Sequence, residues 1–244
     1  MSGGVLMVIA HPDDEILCGA GTLALWAERG EHVHVVCATR GEYGPISDPA
    51  LATPETLADV REAELRASCA QLGVSELSFL DLPDAGVDWA AEEHGTVDAI
   101  ADLIRAQQPR ILITFGEDGV YGHSDHTAVH ELSCAAVELV DDPPRLFFPV
   151  WSAGFVREFL DAIEREGSRA QFWHLGLQHF LADAGTINAE VDVTSVLARK
   201  VAALRCHRTQ LERDHAFVLA SGAVAQRYLG TEYFHAADGG EPPV

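Results

Sequence analysis

The chain has 244 residues, 48% of them hydrophobic, enough for one large domain or two small ones around a sizeable core. No run reaches the roughly 18 apolar residues of a membrane span, and "MSGGVLMVIAH" lacks the basic region and cleavage site of a signal peptide. A cytoplasmic location without a membrane partner is expected. A formal charge of −22, with Lys200 the only lysine, would repel nucleic acid at long range and otherwise reads as a solvated acidic surface.

Strand and helix periods alternate along the chain. "VLMVIA" (5–10) reads as a strand, followed by a helix whose apolar residues Leu17, Ala20, Leu23, Ala24 and Ala27 keep a helical spacing until Gly30. "HVHVVCAT" (32–39) is a second strand. After a loop, Thr53 is placed to cap a helix with Pro54 at its first position, running to Gly73. A strand at 76–80, a helix from Thr96 to Pro109, a strand at 110–115, a helix at 126–140 and a strand at 145–150 follow. The last hundred residues are less regular, with a strand expected at 186–193 and a long helix at 196–214. The alternation, with strands apolar on both faces, predicts an α/β fold: a Rossmann-like, doubly wound, mostly parallel sheet flanked by helices. No linker or repeat divides it, so 1–244 is read as a single domain. The five cysteines, Cys18, Cys37, Cys69, Cys134 and Cys206, form no CxxC pair and read as small core hydrophobes in a reducing compartment.

In such a sheet, ligands bind at the carboxyl ends of the strands. The unusual residues gather there: "HPDDE" after the first strand, "TRGEYG" after the second, "LDLPDAG" after the third and "GEDGVYGHSDH" after the fourth. Dinucleotide binding fails as an explanation. Gly19 and Gly21 fall inside the helix, where they suit close packing, and Asp13, Asp14 and Glu15 fill the turn where a phosphate would sit. A cation tolerates such acids. "HPDD" offers an imidazole and a choice of carboxylates, and "GHSDH" supplies His123, Asp125 and His126 from a neighbouring loop. Two histidines and a carboxylate leave a position open for water, the pattern of a catalytic zinc site. Spacing leaves open whether Asp13 or Asp14 is the ligand. His32 and His34 read as structural, and His130 as a helix histidine, because the His-Glu-x-x-His pattern is absent. Glu15 and Glu42 are expected either to cap or brace loops or to support the site's ligands from behind.

"AHPDDE", "TRGE", "VREAELRASCAQLGV", "YGHSDH", "KVAALRCHRTQ" and "TEYFHA" together resemble the LmbE-like, or PIG-L, zinc-dependent N-acetylglucosaminyl deacetylases, among them deacetylases of the mycothiol and bacillithiol pathways. Ser124 stands where proline is commoner in that family. The resemblance implies His11, Asp14 and His126 as metal ligands and Asp13 as general base. It implies His123 as general acid or oxyanion stabiliser, with Asp125 orienting it and Tyr121 over the reacting carbonyl. Arg61 matches the family's substrate-binding arginine, and Asp84 is a further candidate for a sugar hydroxyl. His207 and Gln210 fall in the closing motif, with no spacing that ties them to a metal.

The expected function is therefore removal of the N-acetyl group from an N-acetylglucosamine-containing small glycoside by metal-activated water, with Zn²⁺, or Fe²⁺ in the cell, as cofactor. One alternative is an amidase cleaving thiol conjugates of a glucosaminyl-inositol, decided by the pocket loops at 43–54 and 84–93. Another is a noncatalytic sugar- or nucleotide-binding domain. The expected partner is a small aminosugar; homo-oligomers are familiar in proteins this one resembles, although no surface stripe marks an interface.

Overall fold

The computed structural model describes residues 3–92, 94–180 and 187–244; Thr186 of the expected strand and Glu93 of the expected pocket loop lie outside them. The first strand, β1 (Gly4–Ile9), is buried along its whole length and leads into α1 (Asp14–Glu28). Next come β2 (His32–Cys37), α2 (Leu57–Leu72), β3 (Glu76–Phe79), the one-turn α3 (Val87–Ala90) and α4 (Thr96–Gln107). The chain continues through β4 (Ile111–Ile113), a tight turn α5 (Gly119–Gly122), α6 (Ser124–Glu138), β5 (Arg145–Pro149) and α7 (Ala153–Arg165). It closes with β6 (Ala189–Asp192), α8 (Leu197–Leu204), two short helices α9 (Ala216–Leu219) and α10 (Gly222–Leu229), and β7 (Thr231–Ala236).

The strands form one sheet in the order β3-β2-β1-β4-β5-β7-β6. Its first four pairings are parallel, whereas β7 runs antiparallel between β5 and β6. The α/β expectation holds. Strand order reverses at β1, because the chain builds outward through β2 and β3 and then returns to lay β4 on the other side. The crevice between the carboxyl ends of β1 and β4 is the topological switch point, where doubly wound sheets bind ligands. Both histidine-bearing loops open there.

Inside the sheet sandwich Val5, Leu6, Met7, Val8 and Ile9 are at most 1% exposed, which is why these strands read as continuous apolar runs. Gly19 sits at φ 136 and interrupts the helical geometry of α1. A Cβ at Gly21 would lie 2.6 Å from Val193. These glycines admit the C-terminal strands against α1, in line with their expected packing role. Cys18, Cys37 and Cys69 are buried free thiols, and Cys134 and Cys206 are half-buried.

Three elements depart furthest from their expected bounds. The helix expected at Thr53 begins at Leu57, because Thr53 and Thr56 close a turn on each other: the Thr53 amide donates to Thr56 Oγ1 at 2.9 Å, and the Thr56 amide to the Thr53 carbonyl at 3.0 Å. The long helix of 196–214 stops at Leu204. Beyond it His207 and Thr209 are drawn inward onto Glu15 and Glu64, and the two short contacts outweigh continuation of the helix. The expected strand 186–193 is confined to Ala189–Asp192 among the described residues. No helix of the described residues is long and apolar enough to cross a membrane.

Candidate metal centre

The N-terminus of α1 and the loop before α6 meet at the switch point. Asp14 Oδ2 accepts from the His11 amide at 2.7 Å and lies 3.3 Å from His11 Nδ1, while Asp14 Oδ1 lies 3.2 Å from His126 Nε2. His126 Nδ1 donates to the Gly119 carbonyl at 3.1 Å, which leaves the Nε2 lone pair free in the neutral ring. That Nε2 is buried and has no hydrogen-bond partner among the described residues. Phe115 stacks on the His126 ring at 4.0 Å and fixes its plane.

On its far side His11 Nε2 faces two carboxylates, Asp84 Oδ1 and Asp125 Oδ2, each at 3.2 Å. Burial lowers the His11 pKa, but hydrogen bonds to Asp125, Asp14 and Asp84 override it and hold the ring well above its ordinary value. The Asp14 pKa is well below the usual carboxylate range despite burial, because His126 and His11 flank it. Asp84 is likewise held down to about 2, burial being outweighed by His11. A pocket that stabilises positive charge this strongly suits a divalent cation.

The two Asp14 oxygens divide between the flanking imidazoles, Oδ2 toward His11 and Oδ1 toward His126. Ligand atoms about 2.0–2.1 Å from a tetrahedral zinc stand roughly 3.3 Å apart. Each of the two pairs, Asp14 Oδ2 with His11 Nδ1 at 3.3 Å and Asp14 Oδ1 with His126 Nε2 at 3.2 Å, has that spacing. His11, with its second nitrogen on carboxylates, also has the outer hydrogen bond that metal-ligating histidines use to fix their tautomer. Two overlapping groups of donors converge here, His11 with His123 and His126, and His11 with Asp84 and Asp125, each with its donor atoms within 4.8 Å of one another.

Asp13 behaves differently from Asp14. Its backbone sits at φ 120, a region L residues rarely adopt, and its Oδ1 turns to Arg61 Nη2 at 3.2 Å. Burial and then Asp14 raise its pKa, against the pull of Arg61, to about 6. His123 accepts the Asp125 amide on Nδ1 at 3.3 Å, so its Nε2 carries the proton. Burial, with repulsion from His126 and His11, lowers its pKa to about 4. Tyr121 packs edge-on to His126 at 5.2 Å. Burial, with Asp14 and Asp13 nearby, pushes its hydroxyl well above the ordinary value.

Three expected roles sit differently in space. The Asp125 carboxylate reaches His11 and the Ala85 amide, and it is the Asp125 backbone that orients His123. Asp84 turns its carboxylate to His11 and to the Tyr43 amide at 2.8 Å while also lining the cavity. Arg61, only 4% exposed, spends its guanidinium on the Pro12 carbonyl at 2.7 Å, the Gly41 carbonyl at 2.9 Å and Asp13. His130 donates to the Phe115 carbonyl at 2.8 Å, as a helix histidine should. His34 is enclosed between Ser78 and Gln107, and Glu42 accepts the Asp84 amide at 3.0 Å, bracing that loop.

A cavity of about 360 Å³ opens over these groups, lined by His11, Asp13, Asp14, Tyr121 and His123 on the floor and by Tyr43, Pro45, Trp173, Leu175 and Gln210 on the walls. That volume lies in the range of small-ligand sites. A larger groove, about 600 Å³, lies beside it between 47–51 and 205–218, but none of the converging donor groups lines it. Of the wall residues, Tyr43 and Pro45 fall in a loop the sequence singled out. Trp173 and Leu175 do not, because they belong to an irregular segment with no periodic signal. Glu15 and His207 lie beneath the floor and meet at 2.5 Å.

The family profile described as PIG-L, GlcNAc-PI de-N-acetylase, matches residues 6–137. Similar curated proteins include the 1D-myo-inositol 2-acetamido-2-deoxy-alpha-D-glucopyranoside deacetylases of Actinosynnema mirum, 36% identical, covering 96% of this chain and 92% of that one, and of Streptomyces avermitilis, 33% identical with the same two coverages. Among solved structures, N,N'-diacetylchitobiose deacetylase from Pyrococcus horikoshii matches with a TM-score of 0.65 at 20% identity, covering 98% of this chain and 85% of that one. A 4-carboxy-2-hydroxymuconate hydratase from Pseudomonas putida matches with a TM-score of 0.67 at 22% identity, covering 97% and 96%. One fold thus hosts proteins named for a deacetylation and for a hydration, so at this distance structural likeness shows the fold alone.

Proposed function

Because the chain belongs to the PIG-L family, described as de-N-acetylases, we propose that it is a zinc-dependent deacetylase of an N-acetylglucosaminyl glycoside, with an N-acetylglucosaminyl-inositol as the first substrate to test. The observation that carries this reading is Asp14 set between His11 and His126 at 3.3 and 3.2 Å, with a second carboxylate, Asp13, beside it. The curated relatives named as deacetylases of that inositol glycoside cover nearly the whole chain.

His11, Asp14 and His126 would hold the ion. When bound, a divalent cation polarises an amide carbonyl and acidifies water. Asp13, with a pKa near 6, is matched to accept the proton of the attacking water near neutral pH and to return it to the departing amine. His123, kept neutral with its proton on Nε2, donates a hydrogen bond to the oxyanion rather than serving as the acid, and the protonated Tyr121 hydroxyl is a second donor. Asp84 and Asp125 hold His11 Nε2 from behind and would leave its other nitrogen available to hold the ion.

Side-by-side assays on acetylated and on bulkier N-acyl glucosaminyl-inositols test the acyl preference. Faster release of acetate supports the deacetylase. A preference for the bulky thiol conjugate makes the chain an amidase of the same chemistry instead.

A further inference from the structure

Glu15 and His207 are 0% and 1% exposed, and neither lines the cavity. Glu15 Oε1 accepts from Ser68 Oγ at 2.5 Å and meets His207 Nε2 at 2.5 Å. Its other oxygen, Oε2, accepts the backbone amide of Asp13 at 3.1 Å. The His207 ring has no second polar contact among the described residues, since its Nδ1 is without a partner. From these contacts we infer that Glu15 and His207 are positioning residues for Asp13. Glu15 anchors the Asp13 amide, and His207, reaching 192 positions back along the chain, holds Glu15 in place.

Three observations converge on this assignment. A non-glycine residue at φ 120 persists only where its surroundings over-determine it. Arg61 fixes the Asp13 side chain, and Glu15 accepts its amide; together they leave the carboxylate one orientation. A buried ionisable pair is also a poor source of stability, because apolar residues of similar volume often do as well or better. What an apolar pair cannot supply is an acceptor for the Asp13 amide. The dyad thus spends a buried carboxylate and imidazole on the geometry of one neighbouring residue, using α1, α2 through Ser68, and the turn after α8.

The inference rests on the role proposed for Asp13 as base, and two readouts keep the two claims apart. The first needs no substrate: in a crystal structure of Glu15→Leu, Asp13 leaves its positive-φ conformation and its carboxylate shifts relative to Asp14 and His126. The second is kinetic. With zinc affinity measured by chelator competition and found unchanged, Glu15→Leu lowers kcat about 100-fold with KM unaltered, the scale of loss that a displacement of about 1 Å produces. Glu15→Gln keeps an acceptor oxygen and recovers most of that loss. Should Glu15→Leu fail to fold, His207→Leu is read by the same two measurements. An unmoved Asp13 overturns the inference, as does a kcat equal to wild type in a folded, zinc-loaded variant, a loss that tracks zinc loss, or equal losses in Leu and Gln. Inactivity of the wild type on every N-acyl aminosugar contradicts the proposed function instead, and the crystal structures then decide the positioning role alone.

Discussion

At the residue scale, the adjacent acids Asp13 and Asp14 show what a sequence pattern holds and what it cannot. "HPDD" beside "GHSDH" made a candidate metal site legible, because few other arrangements of histidines and acids suit strand ends at a switch point. Which acid would face the proposed ion was not legible in the spacing, since adjacent residues in an irregular turn have no fixed relative direction. The backbone separates the two acids: φ 120 at Asp13 turns that side chain toward Arg61, while Asp14 enters α1 between two imidazoles, which supports Asp14 as the proposed ligand. Asp13→Asn is therefore expected to retain one zinc per chain and lose about 10²–10⁴-fold in kcat; near-normal turnover with zinc bound would remove Asp13 as the base. Asp84 and Asp125 both contact His11 Nε2; with His11 as the proposed ligand, Asp125→Asn should weaken zinc binding about 10–100-fold. Chelator competition measures this directly, and an unchanged affinity would mean that the His11 contact is idle.

At the scale of elements, α7 and β7 escaped the sequence reading for different reasons. Helix α7 carries Val156, Phe159 and Ile163 on its buried face, a helical spacing that was present to be read. Strand β7 alternates buried and half-buried residues along "TEYFHA", but its first inward position is Glu232, and a buried charge hides the apolar period of two. The short helix α9 depends on His215, whose Nδ1 caps it by accepting the Phe217 amide at 3.2 Å. The ring is buried against Trp173 and Phe217. Burial, with His174 adding to it, lowers the His215 pKa from 6.5 to about 3, against the pull of Asp214. The unfolded chain then binds the extra proton first. Stability from this group is complete above about pH 6.5 and is lost progressively as the pH falls toward about 3, at up to about 1.4 kcal/mol per pH unit. Urea unfolding at pH 7 and pH 5 should show wild type losing about 2 kcal/mol more than His215→Asn, which keeps a capping acceptor without the titration. Equal losses would assign the pH dependence elsewhere.

At the scale of the whole molecule, the parallel half of the sheet was legible because its strands are uniformly apolar and its helices intervene with regular spacing. In the antiparallel half β6 fell within the expected strand of 186–193, but β7 was not read, because its attachment is polar. Glu232 accepts from the Gly21 and Thr22 amides at 2.8 Å each and from Thr22 Oγ1 at 2.7 Å, and pairs with Lys200 at 2.8 Å. Lys200 also donates to the Leu229 carbonyl at 3.1 Å. The only lysine of the chain is thus spent inside it, joining β7 and α8 to the first helix. Lys200→Met strands the buried Glu232 and should cost about 3–5 kcal/mol in chemical denaturation, with much of it recovered in the Lys200→Met, Glu232→Gln double variant; a loss under about 1 kcal/mol would show the pair to be dispensable.

The proposed activity is hydrolysis of an N-acetyl group by the switch-point cluster loaded with a cation. Its most direct test is the release of free amine from N-acetylglucosaminyl-inositol by the purified chain, stripped by chelator and then titrated with zinc. Activity absent in the stripped protein and rising to a plateau at one equivalent of zinc per chain is the expected result. Amine release indifferent to the metal, or none from the fully loaded protein, would contradict it.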